Sequence, residues 1–320
     1  MKLETSYFSG AGGTRLPYMI WEPETAPIMV LQVTHGMTEH IGRYESLARE
    51  LTTYGIVVAG FDLRGHGKNS FNHDTATLGK NGWEKSLTDM HRFRLMLNKR
   101  YVGLPLYMMG FSLGSFLLRE YLSHHKAPDG AILVGTGTQP TPLLSVLMWV
   151  AKGEINKSGF NQNTPLVQKL SFETYNKQFK PNRTPSDWLC SDNTQLDAYL
   201  KDSRCRACIS AGLFYDLLAS MKRTGAGGAY RNWKKSMPVL LISGEADPVG
   251  NMGKGVKQVQ KQMEKAGLTN VQMQLYSDAR HDVLHEELSG SAREARNLIF
   301  EWLFKNYINQ EPGYMKIQNP

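Results

Sequence analysis

The stretch Leu104-Pro105-Leu106-Tyr107-Met108-Met109-Gly110-Phe111-Ser112-Leu113-Gly114-Ser115-Phe116-Leu117-Leu118-Arg119-Glu120-Tyr121-Leu122-Ser123-His124 changes character in its middle. Leu104 to Met109 is a continuous apolar run of the length of a buried strand, and Ser115 to His124 carries its apolar residues at helical spacing. Between them Gly110-Phe111-Ser112-Leu113-Gly114 spells G-x-S-x-G. A serine hydroxyl is a poor nucleophile at neutral pH, so it must be exposed, paired with a base and kept clear of bulky neighbours. Strand, tight turn and helix form the context in which this pentapeptide achieves that, the glycines permitting the close approach of a strained elbow. Ser112 is the candidate nucleophile.

Upstream, β-type runs occupy Leu3 to Phe8, Leu16 to Trp21 and Ile28 to Val33, bounded by Gly, Pro or polar turn residues. Helical spacing over Tyr44 to Tyr54 then leads into the apolar strand Ile56 to Phe61, and Trp83 to Leu97 reads as a further helix. After the elbow helix comes the strand Ala131 to Val134. This alternation implies a mostly parallel sheet flanked by helices, an α/β fold. From Thr138 to Gly228 no clear strand is visible, only helical patches rich in aromatics such as Trp149, Phe172, Tyr175, Trp188 and Tyr199. The rhythm resumes with the strand Pro238 to Ile242, the helix Gly255 to Ala266, the strand Val271 to Tyr276 and a last helix from Ser291 to Tyr307. The expected organisation is a core of residues 1–137 and 229–309, a helical insertion at 138–228 and a loose tail at 310–320. Gly225-Ala226-Gly227-Gly228 lacks G-x-G-x-x-G spacing and a preceding strand, so it reads as a flexible junction rather than a phosphate loop.

Composition narrows the class. With 320 residues, 41% hydrophobic and 21% charged, the chain has ample apolar surface for a core, and disorder is excluded for most of it. The start has no apolar leader, and the longest greasy stretch, Pro142 to Ala151, falls short of the ~20 residues that cross a bilayer. A cytoplasmic location is expected. Three cysteines, Cys190, Cys205 and Cys208, do not suggest a disulfide framework, and the C-x-x-C of Cys205 and Cys208 lacks two further zinc ligands. The net charge of +8 leaves room for weak peripheral contact with anionic membranes. Lys and Arg are nevertheless spread along the chain, which excludes nucleic acid as the expected partner.

The partners of Ser112 follow from chain order. A base should sit in a loop after a late strand, and His281 follows Val271 to Tyr276 and precedes the closing helix. His285 is its nearest rival. The acid that orients the base should lie between Ser112 and His281 at a strand end, where Asp247 follows Val239-Leu240-Leu241-Ile242-Ser243-Gly244-Glu245-Ala246. Glu245 is two residues nearer the strand. Asp278 and Asp282 are too close to His281 in sequence and read as solvated loop charges. An oxyanion needs backbone N–H donors, one from Leu113 at the helix start and one from the loop Thr34-His35-Gly36-Met37-Thr38-Glu39-His40, where Met37 is the choice. His35 and Glu39 lack a third ligand at metal spacing and read as loop-shaping hydrogen bonders.

Taken together, His35-Gly36-Met37-Thr38-Glu39-His40, Asp62-Leu63-Arg64-Gly65-His66-Gly67, the elbow, Asp247-Pro248 and His281 resemble the monoacylglycerol lipase and lysophospholipase branch of the α/β-hydrolases, also called the serine aminopeptidase S33 group. The likeness covers residues 3–137 and 230–308. It implies an α/β-hydrolase fold whose insertion caps the active site, a Ser112, Asp247, His281 triad, Met37 and Leu113 as oxyanion donors, and a structural role for Asp62, Arg64 and His66. Phe111 and Leu113 stand where that family often has His and Met, and Met37 where a smaller residue is common, which reshapes the acyl pocket.

The function expected is hydrolysis of carboxylic esters, monoacylglycerol- or lysophospholipid-like, through an acyl-enzyme on Ser112 and without metal or organic cofactor. Leu143-Leu144-Ser145-Val146-Leu147-Met148-Trp149-Val150 in the insertion favours an apolar acyl chain. The alternatives are amide cleavage or acyl transfer by the same triad, and a catalytically silent binding protein.

Overall fold

The computed structural model describes residues 1–70, 74–205, 208–225 and 228–310. The expected tail beyond 310, the middle of the C-x-x-C pair and Ala226-Gly227 of the glycine segment lie outside the described residues.

Eight strands form one sheet: β1 (Lys2–Ser9), β2 (Arg15–Glu22), β3 (Met29–Thr34), β4 (Ile56–Phe61), β6 (Leu106–Phe111), β7 (Gly130–Val134), β9 (Val239–Gly244) and β10 (Val271–Tyr276); β5 (Thr75–Ala76) and β8 (Cys208–Ile209) pair separately. The order is β1-β2-β4-β3-β6-β7-β9-β10, parallel from β4 to β10, with β1 and β2 added antiparallel at one edge. The sequence pattern explains this order. β3, β4, β6, β7 and β9 are buried at every position, as strands covered on both faces must be. The edge strands β1 and β10 keep exposed residues.

Alternate residues of the central strands feed two cores. Val57, Ala59 and Phe61 of β4 pack with the helices α2 (Gly82–Arg100) and α3 (Leu113–His124), through Phe93, Phe116 and Leu117. Ile56 and Val58 face the other way, towards Leu47 of α1 (Glu45–Thr52) and Trp302 of α10 (Ser291–Gln310). The period of two along a strand and the stripe along each helix thus give an α/β/α sandwich, with α9 (Lys254–Lys265) on the α2 and α3 side.

Between β7 and β9 lie α4 (Thr141–Ser158), α5 (Pro165–Gln168), α6 (Thr174–Asn176), α7 (Asn193–Lys201) and α8 (Ala211–Gly225). The expectation of no strand here needs correcting, because Cys208–Ile209 pairs in parallel with Thr75–Ala76. A two-residue ladder is too short to leave an alternating pattern in sequence. Where this stretch leaves and rejoins the sheet, the fully buried Arg119 of α3 donates to Gly137 O at 2.7 Å and to Tyr230 Oη at 2.6 Å. One guanidinium therefore fastens both ends to the helix that begins beside Ser112. None of the described helices is long and apolar enough to cross a membrane.

Candidate active site

Ser112 stands between β6 and α3 with φ 49° and ψ −117°, a conformation that L-residues avoid. The turn closes because its glycines have no side chains. A Cβ on Gly110 would lie 2.3 Å from Gly114 O, and one on Gly114 would lie 2.1 Å from Thr34 O, the carbonyl end of β3. The elbow is thereby pressed against the loop that carries Met37.

His281, in the loop after β10, brings Nε2 to 2.8 Å from Ser112 Oγ. Its Nδ1 lies 2.9 Å from Asp247 Oδ1, close enough for an ion pair although off the line of a well-aligned hydrogen bond. Asp247, in the loop after β9, is fully buried and is fixed by the Val249 N–H donating to Oδ1 at 2.8 Å and by Ser243 Oγ donating to Oδ2 at 3.2 Å. A carboxylate at Nδ1 favours the tautomer with its proton there, which leaves the Nε2 lone pair facing the serine hydroxyl. Three strand ends thus place a base and a buried acid behind one hydroxyl.

The loop after β3 is held by the two residues expected to shape it. His35 Nδ1 donates to Gly36 O at 2.7 Å while its Nε2 accepts from the Leu63 N–H at 2.8 Å. Glu39 Oε1 accepts from the Gly36 N–H at 2.6 Å and from Tyr44 Oη at 2.8 Å. Met37 follows, bordering the space over Ser112, and Leu113 is the first residue of α3. Among the described residues, neither backbone N–H donates to another group. The Asp62 loop is structural in its contacts: Arg64 pairs with Asp89 at 2.6 Å, and Asp62 accepts from the Ile41 and Lys68 N–H groups.

The space over Ser112 is nearly closed, about 10 Å³. Its lining combines apolar Met37, Phe111, Phe172, Trp188 and Leu189 with polar Thr38, Glu39, Arg43 and Tyr199. Phe111 lies with its ring centroid 5.0 Å from that of His281. Leu113 departs from the expected pocket role, because its side chain is packed into the core instead. Beyond Arg43 and Tyr199 opens a polar cleft of about 240 Å³ that includes His40 and Asp202. With Cys205 these two make a compact group of metal-type donors, but His40 Nδ1 accepts from the Gly42 N–H, so its Nε2 carries the proton and donates to Asp202. That nitrogen has no lone pair to offer.

A model of the serine aminopeptidase S33 family matches residues 25–288. The chain belongs to that family. Monoglyceride lipase of Homo sapiens is 27% identical over 301 residues, 91% of this chain and 86% of the relative. A thermostable carboxyl esterase from Bacillus coagulans, solved with glycerol, superposes with a TM-score of 0.87 at 25% identity, covering 96% of this chain and 99% of that one. A soluble variant of monoglyceride lipase from Saccharomyces cerevisiae shares the fold, with a TM-score of 0.75 at 19% identity and 96% of each chain covered. This S33 member is thus an α/β-hydrolase of the monoglyceride-lipase-like branch, and a carboxylic ester hydrolase.

In this S33 chain the rivals of the chosen base and acid are occupied elsewhere. His285 Nδ1 contacts Asp282 at 2.8 Å and its Nε2 donates to Arg43 O at 3.1 Å. Glu245 and Asp278 are exposed. The reading of Asp282 as a solvated loop charge is wrong: it is 1% exposed and pairs with Arg43 at 2.8 Å as well as with His285. Burial alone would raise its pKa, but the charges of His285 and Arg43, with their hydrogen bonds, hold it below the usual carboxylate range. Arg43 also pairs with Glu39, so the loop after β3 and the His281 loop share one ion network. Sequence reasoning missed Arg43, whose only signal is its place four residues after Glu39.

Asp282→Asn is expected to destabilise the fold by roughly 2 kcal/mol at pH 7, as a buried guanidinium loses one of its two carboxylate partners and keeps Glu39. A folded-state pKa below the unfolded value of about 3.9 means that this contribution is present above pH ~4 and is lost as pH falls through the folded value. Urea denaturation of both proteins across pH should show the gap narrowing only on the acid side. A gap independent of pH would rule out the charge as its source.

Proposed function

We propose that Ser112, His281 and Asp247 act as a catalytic triad that hydrolyses monoacyl esters of polar alcohols, such as monoacylglycerols or lysophospholipids, through an acyl-enzyme. The observation that carries this reading is the succession of close contacts from Ser112 Oγ to His281 Nε2 at 2.8 Å and from His281 Nδ1 to the buried Asp247 carboxylate at 2.9 Å. As Oγ attacks the ester carbonyl, His281 Nε2 takes its proton, Asp247 stabilises the imidazolium, and the Met37 and Leu113 N–H groups hold the oxyanion. Collapse expels the alcohol with the proton from His281. A water deprotonated by the same ring then releases the acid, and none of these steps draws on a cofactor.

The mixed apolar and polar lining supports the substrate class. An acyl chain has Phe111, Phe172, Trp188 and Leu189 to lie against, and a polar alcohol has Thr38, Glu39, Arg43 and Tyr199. Half of these residues, Phe172, Trp188, Leu189 and Tyr199, come from residues 138–228, which we read as a cap over the core. Weak contact with anionic lipid surfaces belongs to the same reading, supported by exposed Leu143, Val146 and Trp149 on α4 and by the net charge of +8.

A chain-length series of 4-nitrophenyl esters tests the reading, with the matched anilides alongside. Medium and long acyl esters should exceed the acetate by about tenfold or more in kcat/KM, as several buried methylenes contribute about 0.8 kcal/mol each. Activity that peaks at acetyl and vanishes beyond butyryl would reject the lipid substrate. Anilides turned over as fast as esters would assign amide cleavage instead.

A further inference from the structure

We propose that Trp188, supplied by the insertion, is a positioning residue for the reaction: with Phe111 it forms an aromatic wall that orients the His281 ring and stabilises its protonated form. This rests on the triad reading above.

His281 is 1% exposed, so the positive charge it acquires from Ser112 finds almost no water. Two aromatic rings adjoin it instead, Phe111 with centroids 5.0 Å apart and a tilt of 37°, and Trp188 at 5.2 Å and 34°. Both fall within the ~6 Å over which a ring face attracts a cation, and the attraction grows where solvent is excluded. Because the Asp247 contact is off-line, it leaves part of the orientation of the imidazole to packing. The Trp188 indole N–H is buried and has no partner among the described residues, so the ring is not held in place for its hydrogen bond.

Trp188 is itself braced. Phe172 stacks on it at 5.4 Å and Tyr175 packs at 5.3 Å. The chain around it is stitched to the loop of His281. The Asp282 N–H donates to Leu189 O at 2.7 Å, Arg280 donates to Asp187 O, and the Ser191 N–H donates to Glu286 at 2.9 Å. Indole and imidazole are therefore carried by one hydrogen-bonded unit, although 93 residues separate Asp187 from Arg280 in sequence. The arrangement also gives Phe111 a task at a position where a phenyl ring departs from the family's usual histidine.

The test replaces Trp188 with a series of progressively fluorinated tryptophans, which drain the ring face of electron density with little change in shape, and follows hydrolysis of 4-nitrophenyl butyrate. The expected result is a stepwise fall in kcat reaching about fivefold to tenfold, with KM within about twofold and an unchanged Tm. Trp188→Phe should retain more activity than Trp188→Leu. A kcat that stays flat across the fluorinated series overturns the proposal, even if Trp188→Leu fails to fold. Ser112→Ala in the same assay separates the two claims: if it is inactive while the series is flat, only the role of Trp188 falls, whereas if it still hydrolyses ester the triad falls too.

Discussion

Ser112→Ala is expected to lower kcat for ester hydrolysis by about a millionfold, because a nucleophile and its base act as one unit and removing either discards nearly the whole effect. The same substitution should abolish covalent labelling by a fluorophosphonate probe. Alanine keeps the Cβ, and the torsion φ 49° is as awkward for it as for serine. Tm should therefore stay within about 2 °C of wild type, the scale of a surface change. Equal labelling of the two proteins would place the nucleophile elsewhere.

Asp247→Asn should come next in size, with kcat lower by about 10⁴-fold and little change in KM. An amide there carries no charge and no longer stabilises the imidazolium. Its two fixed contacts, to Val249 N and Ser243 Oγ, allow the amide to sit where the carboxylate did. Glu245→Gln is the control, since Glu245 is exposed and should lose less than about twofold. If Glu245→Gln were the damaging change, the orienting acid would be reassigned.

The parts legible in the sequence are those with a local signature. Continuous apolar runs at β3, β4, β6, β7 and β9 announce strands covered on both faces, and each expected central strand lies within two residues of its observed bounds. The elbow reads directly, because two glycines and a serine between strand and helix are a steric statement. Chain order narrows the acid and the base, and the structure brings Asp247 and His281 to Ser112. What stays hidden depends on contacts between distant residues. Asp282 looks like a loop charge until Arg43, 239 residues earlier, is seen against it. Trp188 and Tyr199 were visible only as aromatic enrichment, since no period reports which ring of an irregular insertion will reach a histidine. The β5 and β8 pair is too short to alternate.

The torsion at Ser112 bears on how such a chain changes over generations. Glycine adopts φ 49° and ψ −117° freely, and every other residue gives up of order 1 kcal/mol or more to stay there. On the reading proposed for Ser112, drift without demand for its hydroxyl would favour glycine at this one position, gaining thermal resistance while erasing the chemistry. A serine held where stability argues against it is a trace of selection for turnover, legible in a single backbone angle.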